Sequence, residues 1–421
     1  MEPRHAYVHV PFCRHRCGYC DFSLVAGRDD LIDRYFAALA VELERVRKPL
    51  DLDTLYLGGG TPSHLGPDGL RRLFDLLHVK LRPVAGAEVS IECNPEDVTA
   101  ALAEAALACG VTRASLGAQS LDAATLRALD RSHAADDVRR AVALLGDRGL
   151  AVNVDLMTAA PGQSLDAVTL RSLDRRHAPD DVRRAVALLG ERGLAVNVDL
   201  MTAAPGQSLT AVERDLDAAI AIGPQHVSVY CLTWEKGTAF EGLRRTGALA
   251  AADEGDERAM FEAAIDRLEA AGYEHEEVSN FARPGHRCRH NEAYWDCRPW
   301  EAFGPGAARF DGRTRITNHR SPVTWMNRVL TGDDVTGDVD AMDAEAAARE
   351  RLVVGLRRRA GVERAAFRAA SGLDLDDLAA PAITRWVVQG LATDDGATIR
   401  LTRAGLLVSD SLWADVLLPK G

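Results

Sequence analysis

Three cysteines within eight residues, Cys13-x3-Cys17-x2-Cys20, form the densest group of soft ligands in the chain. Thiolates at such spacing hold zinc or an iron–sulfur cluster. Structural zinc closes its shell with four ligands, and His15 is the one further ligand inside this segment. A [4Fe–4S] cluster on three thiolates instead leaves one iron without a protein ligand, open to a small molecule. The spacing favours the cluster. The remaining cysteines, Cys93, Cys109, Cys231, Cys288 and Cys297, are scattered, as reduced thiols of a large intracellular chain would be. A second motif, Gly58-Gly59-Gly60-Thr61-Pro62, ends an apolar run. Its glycines would let backbone amides approach a ligand closely, although a tight strand–helix turn produces the same string.

These residues need elements to position them. Strand-like segments at 6–11, 54–58, 87–92, 113–119, 150–156, 194–200 and 226–232 alternate with helix-like ones, such as 29–46 with Leu31, Ile32, Tyr35, Phe36 and Leu39 at helical spacing. Alternation of this kind predicts parallel βαβ units, here an α/β fold built as a partial (β/α) barrel with its chemistry at the C-terminal strand ends. Residue parity agrees. Ser90 and Glu92 share a face, as do Ser115, Gly117 and Gln119, and so do Asn153 and Asp155, which points to a wet cavity in the barrel mouth. At 421 residues the chain is long enough for two or three domains. The divisions expected are 1–240 for the barrel core, 241–340 for a barrel-completing region and 341–421 for a small C-terminal domain.

Composition excludes several classes. Lys plus Arg number 50 against 62 Asp plus Glu, a net charge of −12, which disfavours general nucleic-acid binding. No apolar run approaches the ~18 residues of a membrane span. Met-Glu-Pro-Arg-His does not open a signal peptide, so a cytoplasmic location is expected.

The strings Tyr7-Val-His-Val-Pro-Phe-Cys13 and Cys17-Gly-Tyr19-Cys20-Asp-Phe22 resemble the radical S-adenosylmethionine (SAM) superfamily, within it the branch of oxygen-independent coproporphyrinogen III oxidases and HemW-type heme chaperones. The resemblance runs from Ala6 to about Leu418. It implies that Cys13, Cys17 and Cys20 hold a [4Fe–4S] cluster whose open iron chelates SAM, and that an electron donor reduces it. It further implies SAM contacts from Gly59, Gly60, Thr61, Tyr7, Tyr19, Glu92, Gln119, Arg131 and Asp155. His290-Asn-Glu-Ala-Tyr294-Trp295 resembles the H-N-x-x-Y-W motif of the HemW type; by that resemblance His290 would offer an imidazole to heme iron, with Tyr294 and Trp295 as flat contacts.

Residues 121–164 and 165–208 are nearly the same sequence, identical at 39 of 44 positions. Two copies are too few for a solenoid. Each reads as helix then strand, and removing either restores a family-like chain. Arg175 therefore competes with Arg131, and Asp199 with Asp155. Because an unpaired apolar strand would expose a long edge, both copies are expected to fold and the parallel sheet to gain one strand, with 150–156 beside 194–200. Arg131 and Asp155 then stay nearest the unshifted first half.

In 341–421, helices near 343–358, 363–371 and 377–390 precede a hairpin at Asp394-Asp395-Gly396, the pattern of a winged-helix-like domain. Its 11 acidic and 11 basic residues cancel, so no positive footprint marks it for DNA, and a substrate lid or docking module is the expectation. Three functions compete: a heme chaperone that binds heme as cargo and passes it to acceptor proteins, a coproporphyrinogen III oxidase, and another radical SAM enzyme such as a methyltransferase. The oxidase motif extends to a fourth cysteine two residues beyond the third, where this chain has Phe22, and only 12 residues precede Cys13. Both features favour the chaperone.

Overall fold

The computed structural model describes residues 2–16, 20, 22–119, 126–127, 131–156, 197–234 and 239–417. The barrel wall begins with β1 (His5–Val10), β2 (Leu50–Gly59), β3 (Leu81–Cys93), β4 (Arg113–Gln119) and β5 (Ala151–Leu156), paired in that order and all parallel. It continues with β6 (Asn197–Thr202) and β7 (His226–Cys231), also parallel, followed by the antiparallel β8 (Glu274–His275) and β9 (Asn280–Ala282) in the order β8-β9-β7-β6. On the far side of β1 the chain adds β10 (Trp300–Phe303), parallel to β1, then β11 (Ala308–Phe310), β12 (Thr314–Asn318) and β13 (Thr336–Ala341) as an antiparallel extension.

Alternation decides which way each strand faces. Val8, Leu55, Leu57, Val89, Ile91, Ala114, Leu116, Val152 and Val154 are buried outward, under α1 (Ile32–Leu43), α2 (Gly66–His78), α3 (Ala100–Ala108) and α4 (Ala135–Gly146). Those helices return Leu39, Leu73, Leu102 and Leu145 to the same core. Each such side chain contributes ~1.5–3 kcal/mol of burial, which is why the parallel wall is covered on its outer face. Helices α5 (Leu209–Ile222) and α6 (Glu254–Ala270) cover β6 and β7.

The repeat is accommodated differently from the expectation of one continuous sheet. The strand of the first copy is β5 and that of the second begins β6, and the two lie side by side. Among the described residues no ladder joins them: the nine-stranded sheet ends at β5 and a separate four-stranded sheet starts at β6. The described wall is therefore divided between β5 and β6. Residues 157–196, with most of the second copy, lie outside the described residues.

The C-terminal part runs α7 (Arg289–Trp295), α8 (Pro322–Thr331), α9 (Ala344–Leu356), β14 (Val362–Glu363), α10 (Arg364–Ser371), α11 (Leu375–Val388), β15 (Ala392–Asp394) and β16 (Thr398–Leu401). From α9 onward it has its own core, with Leu352, Phe367, Ile383, Trp386 and Ile399, and a three-stranded sheet β14-β16-β15. Among the described residues no helix is long and apolar enough to cross a membrane.

One buried carboxylate ties α1 to the antiparallel extension. Glu42 is 6% exposed; it accepts from the Gly304 amide at 2.8 Å, Asn318 Nδ2 at 2.7 Å and Arg45 Nη1 at 3.0 Å. Removing one partner of a buried polar network leaves the others unsatisfied. Glu42→Ala is expected to lower the unfolding free energy by ~2–4 kcal/mol in denaturant titrations. An unchanged midpoint would contradict this role.

Candidate functional site

The cysteine segment leaves the C-terminal end of β1 and is fastened at both ends by backbone. Phe12–Cys13 pairs with Val25–Ala26, and Gly27 N donates to Cys13 O at 3.0 Å. Phe12 is fully buried against Tyr35, at 5.4 Å between ring centroids. Cys13 Sγ sits 3.3 Å from Thr61 Oγ1. Cys13 and Cys20 both line one cavity of about 660 Å³, a size typical of small-molecule sites, and neither is in a disulfide. Cys17 and Tyr19 lie outside the described residues. Among the described residues no three His, Cys, Asp or Glu side chains converge as a metal site; His15 lines the same cavity as Cys13 and Cys20. Two thiols facing one cavity beside a glycine turn, at strand ends, fit a cluster ligated by Cys13, Cys17 and Cys20.

The glycine turn is locked to the same segment. Gly60 N donates to Val10 O at 2.8 Å and Thr61 N to Phe12 O at 2.7 Å. Gly59 has φ +108°, and a Cβ there would lie 2.4 Å from the His9 ring; one at Gly60 would lie 2.8 Å from the carbonyls of Val10 and Phe12. These glycines are thus required by close packing inside the wall, before any ligand is considered.

Below the turn, Glu92 accepts from Gly59 N at 3.0 Å and from the Tyr56 hydroxyl at 2.9 Å. Burial pushes its carboxyl up, and the two donors pull it back down. Gln119 ends β4 in a left-handed conformation, φ 60°. Arg131 Nη2 donates to Asn94 Oδ1 at 2.7 Å and to Gly117 O at 2.6 Å, fixing the guanidinium at the cavity edge. Asp155 accepts from Ser115 Oγ at 2.8 Å. From the opposite wall Asp199 accepts from Asn197 Nδ2 at 2.9 Å. Gly59, Gly60, Thr61, Glu92, Gln119, Arg131, Asp155 and Asp199 all line the cavity.

The repeat therefore doubles a chemical feature. The strand of each copy carries Asn-Val-Asp, and Asn153, Asp155, Asn197 and Asp199 all face the one cavity. The Asp155 carboxyl is pushed well up, first by burial and next by Asp199; the Asp199 carboxyl is raised by burial. Arg175, the second copy's counterpart of Arg131, lies outside the described residues.

Two expected residues sit elsewhere. Tyr7 lies on the inner face of β1 beside Tyr56 but is not among the residues lining the cavity, its hydroxyl 3.0 Å from His9 Nδ1 and its ring stacked on Tyr56. His290 is 3% exposed, and both ring nitrogens are engaged, Nδ1 with Thr54 Oγ1 at 2.7 Å and Nε2 with the Tyr294 hydroxyl at 2.8 Å. Burial pushes its pKa down to about 3, so the ring is neutral. A ligand nitrogen needs a free lone pair directed at the metal, so ligation of heme iron by His290 requires one of these two contacts to break. Trp295 faces the C-terminal part, with Arg357 at 5.8 Å over its ring.

Sequence reasoning missed Arg113, which donates to Asn153 Oδ1 at 2.9 Å, and His226, 2.6 Å from Asn197 Oδ1. Extending the same period-two parity one step back along each strand would have found Arg113; nothing in its local pattern singles out His226.

Among proteins of known family, a model of the radical SAM superfamily matches residues 7–169, and one of the HemN C-terminal domain matches 342–408. The heme chaperone HemW of Mycobacterium tuberculosis is 34% identical, the match covering 99% of this chain and 95% of that protein. HemW of Escherichia coli is 30% identical, covering 98% and 97%. The structure of coproporphyrinogen III oxidase (HemN) from Escherichia coli superposes with a TM-score of 0.74 at 18% identity, over 99% of this chain and 90% of that one. That likeness concerns the fold.

The facing carboxylates give a test. Their raised pKa values mean that the folded protein holds protons more tightly than the unfolded chain, so ionising them costs stability as pH rises through the folded pKa. Asp155→Asn is expected to raise the melting temperature of the protein at neutral pH, with the gain shrinking toward pH 4, below which wild type is protonated too. A gain that grows on acidification would contradict the assignment.

Proposed function

Because the chain belongs to the HemW family of radical SAM proteins, we propose that it is a heme chaperone, which binds heme and hands it to acceptor proteins. Bound to Cys13, Cys17 and Cys20, a [4Fe–4S] cluster supplies an iron with an open coordination position for SAM and an electron for it. The chain's own residues do the rest. Gly59, Gly60 and Thr61 present backbone and hydroxyl groups beside the cysteine segment; Glu92 and Gln119 line the wall that SAM faces. Tyr7 acts from behind Tyr56, and Tyr19 from within the cysteine segment. Asp155 is the better candidate than Asp199 for the SAM site, because β5 is laddered to β4 and Ser115 holds the carboxylate. Arg131 is preferred to Arg175 because Asn94 and Gly117 fix its guanidinium at the cavity edge.

The observation that carries the chaperone reading over the oxidase is Phe22. It lines the mouth of the cavity, 63% exposed, where the oxidase motif would carry a fourth cysteine. An exposed aromatic ring at the entrance suits a flat apolar cargo such as heme. From α9 onward, the order helix, strand, helix, helix, strand, strand is read as winged-helix-like, and its balanced charge as that of a docking module for protein partners, the heme acceptors and an electron donor.

Two measurements test this. Anaerobic reconstitution is expected to give about four irons per chain, and Cys13→Ala, Cys17→Ala and Cys20→Ala each to abolish the cluster while Cys93→Ala keeps it. A full cluster in all three variants would sink the ligand assignment. Incubation with coproporphyrinogen III, SAM and a reductant is expected to yield no decarboxylation, while heme titration shifts the Soret band. Decarboxylation, or no spectral change with heme, would overturn the chaperone reading.

A further inference from the structure

His290 and Tyr294 are four apart on α7, so they share one helix face, and that face packs beneath the barrel floor. From there a column of contacts climbs to the glycine turn. The Tyr294 hydroxyl and Thr54 Oγ1 clamp the two nitrogens of His290 at 2.8 and 2.7 Å. Thr54 Oγ1 is also 3.0 Å from His5 Nδ1. Either neutral tautomer closes this chain, because a hydroxyl donates once and accepts as well. Clamped at both nitrogens, the imidazole cannot rotate about its ring axis. It stacks on Tyr56 at 5.2 Å between centroids and 24° between planes. Tyr7 stacks on the same ring at 6.1 Å and 26°. Tyr56 is thereby held between two partners, and its hydroxyl donates to Glu92, whose other oxygen accepts from Gly59 N.

We propose that His290 is a positioning residue for the SAM-facing wall: through Tyr56 it fixes Glu92 and the Gly59 amide in place. The inference rests on the reading of Gly59, Gly60, Thr61 and Glu92 as the SAM side of the cavity. It gives the His-Asn-x-x-Tyr-Trp segment a task other than heme ligation. Four members of that segment then act in three directions: His290 and Tyr294 support Tyr56, Asn291 faces the cavity, and Trp295 meets the C-terminal part.

The test is SAM affinity of the cluster-loaded protein by equilibrium dialysis, with heme affinity measured in parallel. Tyr56→Phe keeps the stack and loses the bond to Glu92. His290→Phe keeps a ring and loses both clamps. Tyr294→Phe loses one clamp and is the variant least able to disturb folding. Each is expected to weaken SAM binding, about tenfold for Tyr56→Phe and His290→Phe and about threefold for Tyr294→Phe. Heme affinity should stay within twofold of wild type in all three. Tyr56→Phe combined with His290→Phe should cost much less than the product of the single effects, because both act on one column. Arg351→Ala, which releases the backbone of Asp296 and Cys297 at the far end of α7, should leave SAM affinity unchanged. Wild-type SAM affinity in His290→Phe and Tyr294→Phe, alongside a loss in Tyr56→Phe, overturns the proposal alone. Equal loss of SAM and heme binding in all variants, including Arg351→Ala, overturns it as general destabilisation. A wild-type holoprotein that binds no SAM overturns the reading beneath it.

Discussion

Glu92 is a half-buried carboxylate in the barrel wall, and two donors, one amide and one hydroxyl, keep it there. Such a group is tolerated only while its partners stay in place. The Gly59 amide can reach it because β2 and β3 are in register, Tyr56 beside Ser90 and Leu57 beside Ile91. Gly59 adopts φ +108° because the His9 ring leaves no room for a side chain. Gly60 and Thr61 then carry the constraint to Val10 and Phe12, and so to Cys13. The cysteine segment, the glycine turn and the acidic wall are consequently one mechanical unit, and a change at any of the three is felt by the others.

The repeat acts on the other side of the cavity. Its strand is apolar on one face and polar on the other, and two copies cannot both take the single place between β4 and β7. The chain satisfies both by pairing the first copy with β4 and the second with β7, leaving a seam. The apolar faces are covered, which outweighs the unpaired edges: Val152, Val154, Val198 and Leu200 are all buried. The electrostatic consequence is a second aspartate, Asp199, in a cavity that already holds Glu92 and Asp155. That raises the cost of ionising Asp155 and increases the attraction for a cationic ligand.

Much of this was legible in the residues. Strands expected at 113–119, 150–156 and 226–232 fall at Arg113–Gln119, Ala151–Leu156 and His226–Cys231, because period-two alternation in a wall covered by helices leaves little freedom. The polar parity of Ser90, Glu92, Ser115 and Asn153 pointed to the cavity they line. Short antiparallel strands such as Ala308–Phe310 were not legible, since three residues carry no period of their own even though their partners, Trp300 and Arg315, are near in the chain. Nor was the seam, because ladder closure depends on the stagger of the whole wall rather than on either copy. The contacts of His290 were not legible for a related reason: a histidine among aromatics has the same sequence signature whether its lone pair points at a metal or at Thr54.

The central claim is that a cluster in the cysteine segment and SAM meet at the strand ends of this barrel. Electron–nuclear double resonance on the reduced, cluster-loaded protein, with SAM carrying ¹⁷O in its carboxylate, addresses it directly. A resolved ¹⁷O coupling to the cluster is the result the account predicts. A cluster signal identical with and without labelled SAM would contradict it.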